Sequence, residues 1–240
     1  MERTVFLAGA SGAIGRRLAP LLVAGRWRVV GTTRSVARTA MLRELGVEPV
    51  VIDVFDGDAL RNIMLEVRPE IVIHQLTDLP PGLAADKMTE ALVRNARVRD
   101  EGTRNLVAAA VAAGARRMVA QSIALIYAEG PLPHGEDDPL IPGTDPVWGG
   151  TVKGVVSLER QVLQAKLEGI VLRYGLLYGP GTGFDSPPAP GAVHVDAAAK
   201  AAELAVNRGE PGIYNIAEAD GTIACDKAVR AFGWDAGARF

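Results

Sequence analysis

The amino-acid sequence predicts an α/β fold in which helices cover both faces of a parallel, doubly wound sheet. Short runs rich in β-branched residues alternate along the 240 residues with longer stretches of helical period. The strand candidates are apolar at nearly every position, as expected for strands covered on both faces. Strands are predicted at 4–8, 28–32, 50–53, 71–76, 118–122 and 170–174, and helices at 14–24, 36–45, 58–67, 102–113 and 152–165.

The composition changes after residue 174, because the segment 175–192 contains four prolines and five glycines. Such a segment predicts a long surface loop. Since the region 175–240 is short for an independent domain, we expect a main domain at 1–174 and a small C-terminal cap that depends on it. The remaining predicted elements are strands at 193–195 and 213–216 and helices at 197–207 and 226–232.

Charge and composition argue against several classes of function. The net charge is −2 and the 26 lysines and arginines are dispersed, whereas nucleic-acid binding relies on a clustered positive field. The single cysteine, Cys225, cannot form an internal disulfide, and the widely spaced His74, His134 and His194 match no zinc pattern, so no metal site is expected. His74 and His194 are expected to be packed strand residues. The longest apolar run, 106–115, is about half a membrane span. We therefore expect a cytoplasmic protein that binds neither nucleic acid nor a membrane.

Three glycines lie between the first predicted strand and the first predicted helix. Gly9, Gly12 and Gly15 have the spacing of the dinucleotide-binding turn in a Rossmann-type fold, whose strand order is 3-2-1-4-5-6. The first permits a tight turn, the second lets the backbone approach a pyrophosphate, and the third allows the helix to pack closely on the strand. Free N–H groups at the helix start favour an anion. The residues expected to hold the pyrophosphate are Gly9, Ser11, Gly12, Ala13, Ile14 and Gly15.

The residues after the second strand indicate which dinucleotide is bound. A ribose 2′-hydroxyl is usually held by a carboxylate here, whereas a 2′-phosphate requires cations and hydroxyl groups. The chain has Thr33 and Arg34 at this point, with Arg38 one turn later and no acidic residue. A guanidinium suits a phosphate, which a carboxylate would repel. We expect these three residues to hold the 2′-phosphate, with NADP(H) preferred over NAD(H).

The ends of three further strands are expected to complete the cofactor cleft. Asp53 and Val54 end the third strand, where they would meet the adenine, although Asp53 could equally cap a helix. Leu76 and Thr77 end the fourth strand, beside the point where the strand order reverses. Tyr174 ends the sixth strand and is expected to pack beside the nicotinamide.

Several motifs resemble those of the extended, or atypical, short-chain dehydrogenase/reductase superfamily, and within it the NAD-dependent epimerase/dehydratase group. They occur in the family's order over the whole chain. The resemblance implies a Rossmann fold, a bound dinucleotide and oxidoreductase or epimerase chemistry. The motifs are the glycine turn, the strand at 71–77, LRYGLLYGPG at 172–181, VHVDAAAKAA at 193–202, and an ending in which Asp226-Lys227-Ala228 precedes Phe232-Gly233-Trp234.

The sequence departs from this resemblance at the residues that would move protons. The resemblance implies a tyrosine and, four residues later, a lysine on one helix face, together with a hydroxyl residue after the fifth strand. The chain contains no Tyr-x-x-x-Lys, and a register anchored on Glu159 puts Thr151 and Val155 at the two positions. The hydroxyl position falls on Ile123, so that Ser122 could serve only if the register shifts. Arg99 replaces an asparagine that often precedes a Gly-Thr pair.

Two other residues remain as candidates for proton transfer. Lys153 lies near the expected site but on a different side of the helix from Thr151, and a register anchored on Lys153 puts Gly149 at the tyrosine position. Tyr178 could enter the site from the loop after the sixth strand. The candidate catalytic residues are therefore Ser122, Thr151, Lys153 and Tyr178.

The sequence leaves three functions open. The favoured one is an NADP(H)-dependent oxidoreductase of the atypical short-chain type that acts on a small carbonyl or hydroxyl compound. The second is a non-catalytic protein that senses NADP(H) or serves as a scaffold, because the predicted cofactor turn is intact while the catalytic pair is lost. The third is a sugar epimerase or dehydratase, although 179–193 contains no cation to neutralise a nucleotide diphosphate. The resemblance also suggests a homodimer.

Overall fold

A computed structural model describes residues 3–240, with the side chain of Pro81 left out. The described chain alternates strands and helices as the sequence predicts. The strands are β1 (Thr4–Ala8), β2 (Arg28–Thr33), β3 (Glu48–Val51), β4 (Ile71–His74), β5 (Arg117–Ile123), β6 (Glu168–Tyr174), β7 (Leu176–Tyr178), β8 (Ala192–His194) and β9 (Gly212–Ile216). The helices are α1 (Ala13–Ala24), α2 (Thr39–Glu44), α3 (Gly57–Val67), α4 (Met88–Arg97), α5 (Thr103–Ala112), α6 (Gly149–Gln164), α7 (Val195–Ala205) and α8 (Asp226–Phe232).

Seven strands form one parallel sheet in the order β3-β2-β1-β4-β5-β6-β9. The predicted order of the first six strands is confirmed, and β9 extends the sheet beyond β6. The strands β7 and β8 pair separately as a short parallel ribbon. All carboxyl ends of the parallel strands therefore meet at one edge of the sheet, and the strand order reverses between β1 and β4. This is the position at which open α/β sheets bind their ligands.

Two apolar layers cover the two faces of the sheet. On one face, α1, α2, α7 and α8 bury a cluster that includes Leu18, Leu42, Ala198 and Phe232. On the other, α3, α5 and α6 bury Leu60, Leu106 and Leu158 against the opposite side of the strands. The helices α1 and α7 lie side by side, so elements from both ends of the chain share one layer.

The structure corrects several predicted elements. The strand expected at 50–53 runs from Glu48 to Val51, because Asp53 closes a turn in which its carboxylate accepts from the Phe55 N–H. The helix expected at 36–45 divides into a 3₁₀ turn at Val36–Arg38 and α2. The loop expected at 175–192 begins with β7, because three of its residues pair with β8.

The largest difference is a helix that was not predicted from the sequence. The helix α4 precedes a π-helical turn at Val98–Gly102, which continues directly into α5. Two short 3₁₀ turns, Pro81–Leu83 and Ala85–Lys87, lead into it from β4. The π-helical turn packs against α6. Such turns within α-helices are frequent at functional sites.

Among the helices of residues 3–240, none is both long enough and apolar enough to cross a membrane.

Candidate functional site

A cleft of about 290 Å³ opens at the carboxyl edge of the sheet. It lies where β1, β2, β3 and β4 end, with Val98 and Leu106 closing one side. Ten of the residues predicted to bind a cofactor line it: Gly9, Ser11, Gly12, Thr33, Arg34, Arg38, Asp53, Val54, Leu76 and Thr77. The other four do not line it: Ala13 begins α1, Ile14 and Gly15 are buried in its first turn, and Tyr174 is buried at the end of β6.

The glycine turn brings β1 and α1 together so closely that side chains are excluded. Gly9 has a φ of +88°, and a Cβ on it would lie 2.6 Å from the Gln75 carbonyl oxygen. A Cβ on Gly15 would lie 2.3 Å from the Gly9 carbonyl oxygen. Gly12 precedes α1, and no side chain caps this helix. Its first N–H groups therefore have no acceptor within the helix, and they suit the anionic pyrophosphate of a dinucleotide.

Hydroxyl and guanidinium groups meet at the end of β2. The Ser11 Oγ lies 3.2 Å from the Thr33 Oγ1, and the Arg38 Nη1 lies 3.4 Å from the same Ser11 oxygen. The Ser35 N–H donates to the Thr33 hydroxyl at 3.2 Å. We call Ser11, Thr33, Arg34, Ser35 and Arg38 the hydroxyl–arginine cluster. Its residue types are those that bind a phosphate.

Arg34 is exposed and forms an ion pair across the cleft. Its Nη2 lies 3.1 Å from the Asp78 Oδ1, and Arg94 approaches the same carboxylate at 3.5 Å. The hydrogen bond with Asp78 raises the pKa of Arg34. The Arg34 guanidinium is thus cationic, and an anionic ligand would compete with Asp78 for it.

The end of β3 forms an apolar wall beside the cluster. Val54 lies against Gly102, where an added Cβ would be 3.0 Å from the valine side chain. Phe55 lines the cleft and is covered by the Arg97 guanidinium, 4.0 Å from the ring centroid. Asp53 caps no helix, because α3 is capped by Asp56, whose carboxylate accepts from the Ala59 N–H at 3.0 Å.

Polar groups without well-formed hydrogen bonds lie at the inner end of the cleft and behind it. Gln75 is 5% exposed, and neither atom of its side-chain amide makes a well-aligned hydrogen bond with a described residue. The Tyr174 hydroxyl is also buried without a well-aligned partner. Burial raises the pKa of Tyr174, which the nearby Gln75 amide partly offsets. Buried polar groups are nearly always paired in native proteins, so a ligand that hydrogen-bonds to Gln75 fits this end of the cleft.

The structure does not bring the four candidate catalytic residues together. Ser122 is buried and donates its hydroxyl to the Glu159 Oε1 at 2.7 Å. Thr151 is buried on α6 and makes no side-chain hydrogen bond with a described residue, while Lys153 is exposed on the same helix. Tyr178 donates to Glu218 and accepts from the Arg239 Nη2 at 3.0 Å, in a cluster that does not line the cleft.

A buried ion pair lies beneath the expected catalytic region. Arg173 on β6 holds both oxygens of Glu159 in a fork, with distances of 2.8 and 2.7 Å. Its third nitrogen donates to Tyr127 at 2.9 Å, and Tyr127 donates to Asn215. Burial alone would lower the pKa of Arg173, but the hydrogen bonds and charge of Glu159 outweigh it and raise that pKa. Ser122 is therefore committed to an internal network.

His74 is a fully buried residue at the end of β4, as expected for a packed strand residue. Its Nε2 lies 3.0 Å from the Thr103 Oγ1, and its Nδ1 accepts from the Leu76 N–H at 3.2 Å. Burial, with a smaller contribution from the charge of Arg99, lowers the pKa of His74 from 6.5 to about 4. The imidazole is therefore neutral in the folded protein at neutral pH.

We expect this buried imidazole to make the protein less stable in mild acid. Above about pH 6.5 the residue is neutral in both states, but as the pH falls towards about 4 the unfolded chain binds a proton that the folded chain rejects. Unfolding in urea at pH 7.5, 6 and 4.5 should show a loss of stability approaching roughly 3 kcal/mol from this group. His74→Gln should flatten the pH dependence, whereas Thr103→Val should lower stability at all pH values and keep the slope. An unchanged slope in His74→Gln would contradict the expectation.

Comparison with known proteins identifies the family. A model of the NAD dependent epimerase/dehydratase family matches residues 5–203. The chain belongs to this family. The predicted resemblance is thereby confirmed, and the matched region includes the glycine turn, the hydroxyl–arginine cluster and the whole of α6.

Two proteins with similar sequences come from Streptomyces. The 3-diazoavenalumate denitrifying reductase of a Streptomyces species is 46% identical over 182 residues, which is 75% of this chain and 58% of the relative. The dTDP-4-dehydrorhamnose reductase of Streptomyces griseus is 31% identical over 176 residues, which is 73% of this chain and 50% of the relative. The chain thus spans about half the length of the named relatives it matches.

Solved structures support the same fold. The UDP-glucose 4-epimerase of Thermotoga maritima superposes with a TM-score of 0.79 at 17% identity, covering 98% of this chain and 94% of the epimerase. The UDP-glucose 4-epimerase of Thermus thermophilus, solved with NAD, gives 0.77 at 20% identity, with coverage of 99% and 95%. At these identities the likeness is one of fold.

Four residues that the sequence reading missed now belong to the site. Gln75 follows β4, Ser35 follows Arg34 in the sequence, and Phe55 follows Val54. All four adjoin a predicted residue, because Gln75 and Asp78 flank the predicted pair Leu76 and Thr77. Extending each motif by one residue would have found them, but the ion pair of Asp78 with Arg34 joins residues 44 positions apart and has no local signal.

Proposed function

We propose that this family member binds NADP(H) in the cleft and acts as a reductase. The observation that carries the proposal is the hydroxyl–arginine cluster, in which two guanidinium groups and three side-chain hydroxyl groups line the cleft where a carboxylate would select NAD(H). The glycine turn and the start of α1 would hold the pyrophosphate. The Gln75 amide, which makes no well-aligned hydrogen bond, would bind a polar group at the inner end. When bound, the nicotinamide supplies a hydride.

We further propose that the substrate is one whose reduction requires no phenolic proton donor. In the register anchored on Glu159, Thr151 and Val155 stand at the positions of the family's tyrosine and lysine, and an aliphatic hydroxyl is a far weaker acid than a phenol. Carbonyl reduction requires a proton on the oxygen, which a general acid normally delivers. The two residues instead leave this part of α6 neutral.

The relative at 46% identity supports a particular substrate class. It is named as a denitrifying reductase of a diazo compound. When an aryl diazonium ion is reduced, a C–H bond forms and the C–N bond breaks, so that Ar–N₂⁺ and hydride give Ar–H and N₂. The nitrogen leaves as a neutral molecule and takes no proton. A site without the tyrosine–lysine pair is therefore compatible with this reaction.

The cofactor preference is tested by Arg34→Ala. A charge-assisted hydrogen bond contributes about 1.5–3 kcal/mol, so the dissociation constant for NADPH should rise roughly 10- to 100-fold while that for NADH changes little. Calorimetric titration of the nucleotide-free protein measures both constants. Arg43→Ala, which changes an exposed arginine on α2 outside the cleft, is the matched control.

Asp78→Asn should have the opposite effect on NADPH binding. It removes the carboxylate that competes for Arg34, so NADPH should bind several-fold more tightly than to the wild-type protein. Equal losses of NADPH and NADH affinity in Arg34→Ala would refute the assignment of this arginine to the 2′-phosphate.

The reaction is tested with 4-methoxybenzenediazonium tetrafluoroborate and NADPH deuterated at C4. We expect deuterated anisole above the enzyme-free background, and little reduction of benzaldehyde under the same conditions. Preferred reduction of the aldehyde would contradict the substrate class. Binding of NADPH without turnover of either compound would favour a non-catalytic NADP(H)-binding protein, for which the dispersal of Ser122, Thr151, Lys153 and Tyr178 is the supporting observation.

A further inference from the structure

Arg99, in the π-helical turn, is a buried arginine without a partner. It is 7% exposed and makes no hydrogen bond or ion pair with any residue in the described part of the chain. The two other buried arginines are fully engaged. Arg117 binds Glu168 and three backbone carbonyl groups, and Arg173 forms the fork with Glu159.

The charges around Arg99 do not satisfy it. Burial lowers the pKa of Arg99 to about 10, so the guanidinium is still protonated at neutral pH, and the charge of Glu159 opposes that lowering. Glu159, however, already has both oxygens bound by Arg173, and His74 is neutral. An uncompensated charge removed from water costs several kcal/mol. A ligand that supplies an anion would offset this cost.

Arg99 lies next to the inner end of the cleft without lining it. Its charge acts on His74, and the residue that follows His74 is Gln75, which does line the cleft. The π-helical turn packs on α6, where Thr151, Val155 and Glu159 follow one another at intervals of four residues on one face. Val155 is apolar and completely buried, so the lysine position in the register anchored on Glu159 carries no charge. Arg99 lies close enough to this face for the charge of Glu159 to act on its guanidinium.

We propose that Arg99 binds a carboxylate of the substrate between the inner end of the cleft and α6. The inference rests on the proposed function in taking this cleft as the place where substrate meets cofactor. A carboxylate matches the guanidinium fork and balances its single charge, whereas a phosphate dianion would leave a net negative charge in a buried site. The Gln75 amide supplies a second donor for the same ligand.

The test titrates benzoate and benzamide into the protein with and without saturating NADP⁺. Benzoate should bind, and benzamide should bind at least tenfold more weakly. Arg99→Met should weaken benzoate binding at least tenfold and leave the NADPH dissociation constant within twofold, while Arg99→Lys should retain part of the benzoate affinity. Arg104→Met, which removes an exposed arginine paired with Asp100 on the next turn, should change neither.

A thermal melt separates binding from a structural role. Because Arg99→Met removes an unpaired buried charge, the ligand-free variant should melt at a temperature equal to or higher than the wild type. A lower melting temperature with unchanged benzoate affinity would make Arg99 structural and overturn the proposal. So would absence of benzoate binding to the wild type, binding of inorganic phosphate in its place, or loss of NADPH affinity in the variant. Benzoate binding that requires Arg99, without any turnover of NADPH, would leave this inference standing while the proposed reductase activity fails.

Discussion

Arg173→Met is expected to lower the free energy of unfolding by about 3–5 kcal/mol, because it leaves the buried Glu159 carboxylate without its hydrogen-bonded counter-charge. The fork between the two residues is nearly inaccessible to solvent, with side chains 4% and 7% exposed. Arg173 also donates to Tyr127 and to the Glu136 carbonyl group, and both would lose a donor. Urea unfolding at pH 7.5 measures the change.

A double-mutant cycle identifies the cause of this loss. Glu159→Leu combined with Arg173→Met removes both buried charges, and the double variant should be more stable than the sum of the two single changes predicts. Arg116→Met is the matched control, because Arg116 is exposed and pairs with Glu70 and Glu168 at the surface. This substitution should change the free energy of unfolding by less than about 1 kcal/mol. Simple additivity in the cycle would show that the fork contributes no pairwise energy.

Gly15→Ala is expected to abolish NADPH binding in the range that calorimetry measures, a loss of at least 100-fold. The added Cβ would lie 2.3 Å from the Gly9 carbonyl oxygen and 2.7 Å from that of Ala10. Both contacts are with backbone, so α1 must move away from β1 and the turn between them must change. Overpacking of this kind costs typically about 1–3 kcal/mol of stability as well.

The control for this prediction is another glycine in a helix. Gly150, in the first turn of α6, has no atom within 4 Å of the position of an added Cβ. Gly150→Ala should therefore be neutral or stabilise the protein by up to about 1 kcal/mol, with unchanged NADPH affinity. NADPH binding to Gly15→Ala within threefold of the wild type would show that the glycine turn does not carry the cofactor.

Those parts of the fold that depend on local pattern could be predicted from the sequence. Continuous apolar runs such as β1 and β6 identified buried parallel strands, and the glycine spacing located the start of α1 to within one residue. The helix α4 was missed because its buried positions are Ala91 and Asn95 rather than large apolar residues. The packed face of α4 is recognisable only once α6 is in place, because Ala96 packs on Gly154 of that helix.

The candidate site was likewise predictable where it depends on local pattern and not where it depends on distant partners. Ten cofactor-cleft residues follow from the principle that strand ends meet at one edge, and they do meet there. The direction of Ser122 did not follow, because it depends on Glu159, which lies 37 residues away along the chain. Asp78 likewise acquires its role from Arg34, which lies 44 residues away along the chain. The sequence therefore predicts where the cleft lies better than what each side chain in it does.

The π-helical turn also makes this protein sensitive to the deletion of a single residue. Such a turn contains one residue more than an α-helical turn in the same place. Deletion of any single codon between Val98 and Gly102 would restore a regular helix and rotate α4 by about 100° relative to α5. Ala96 would then no longer pack on Gly154 of α6. Because the direction of Arg99 depends on the extra residue, a chain that lacks this residue cannot acquire the same site by exchanging one amino acid.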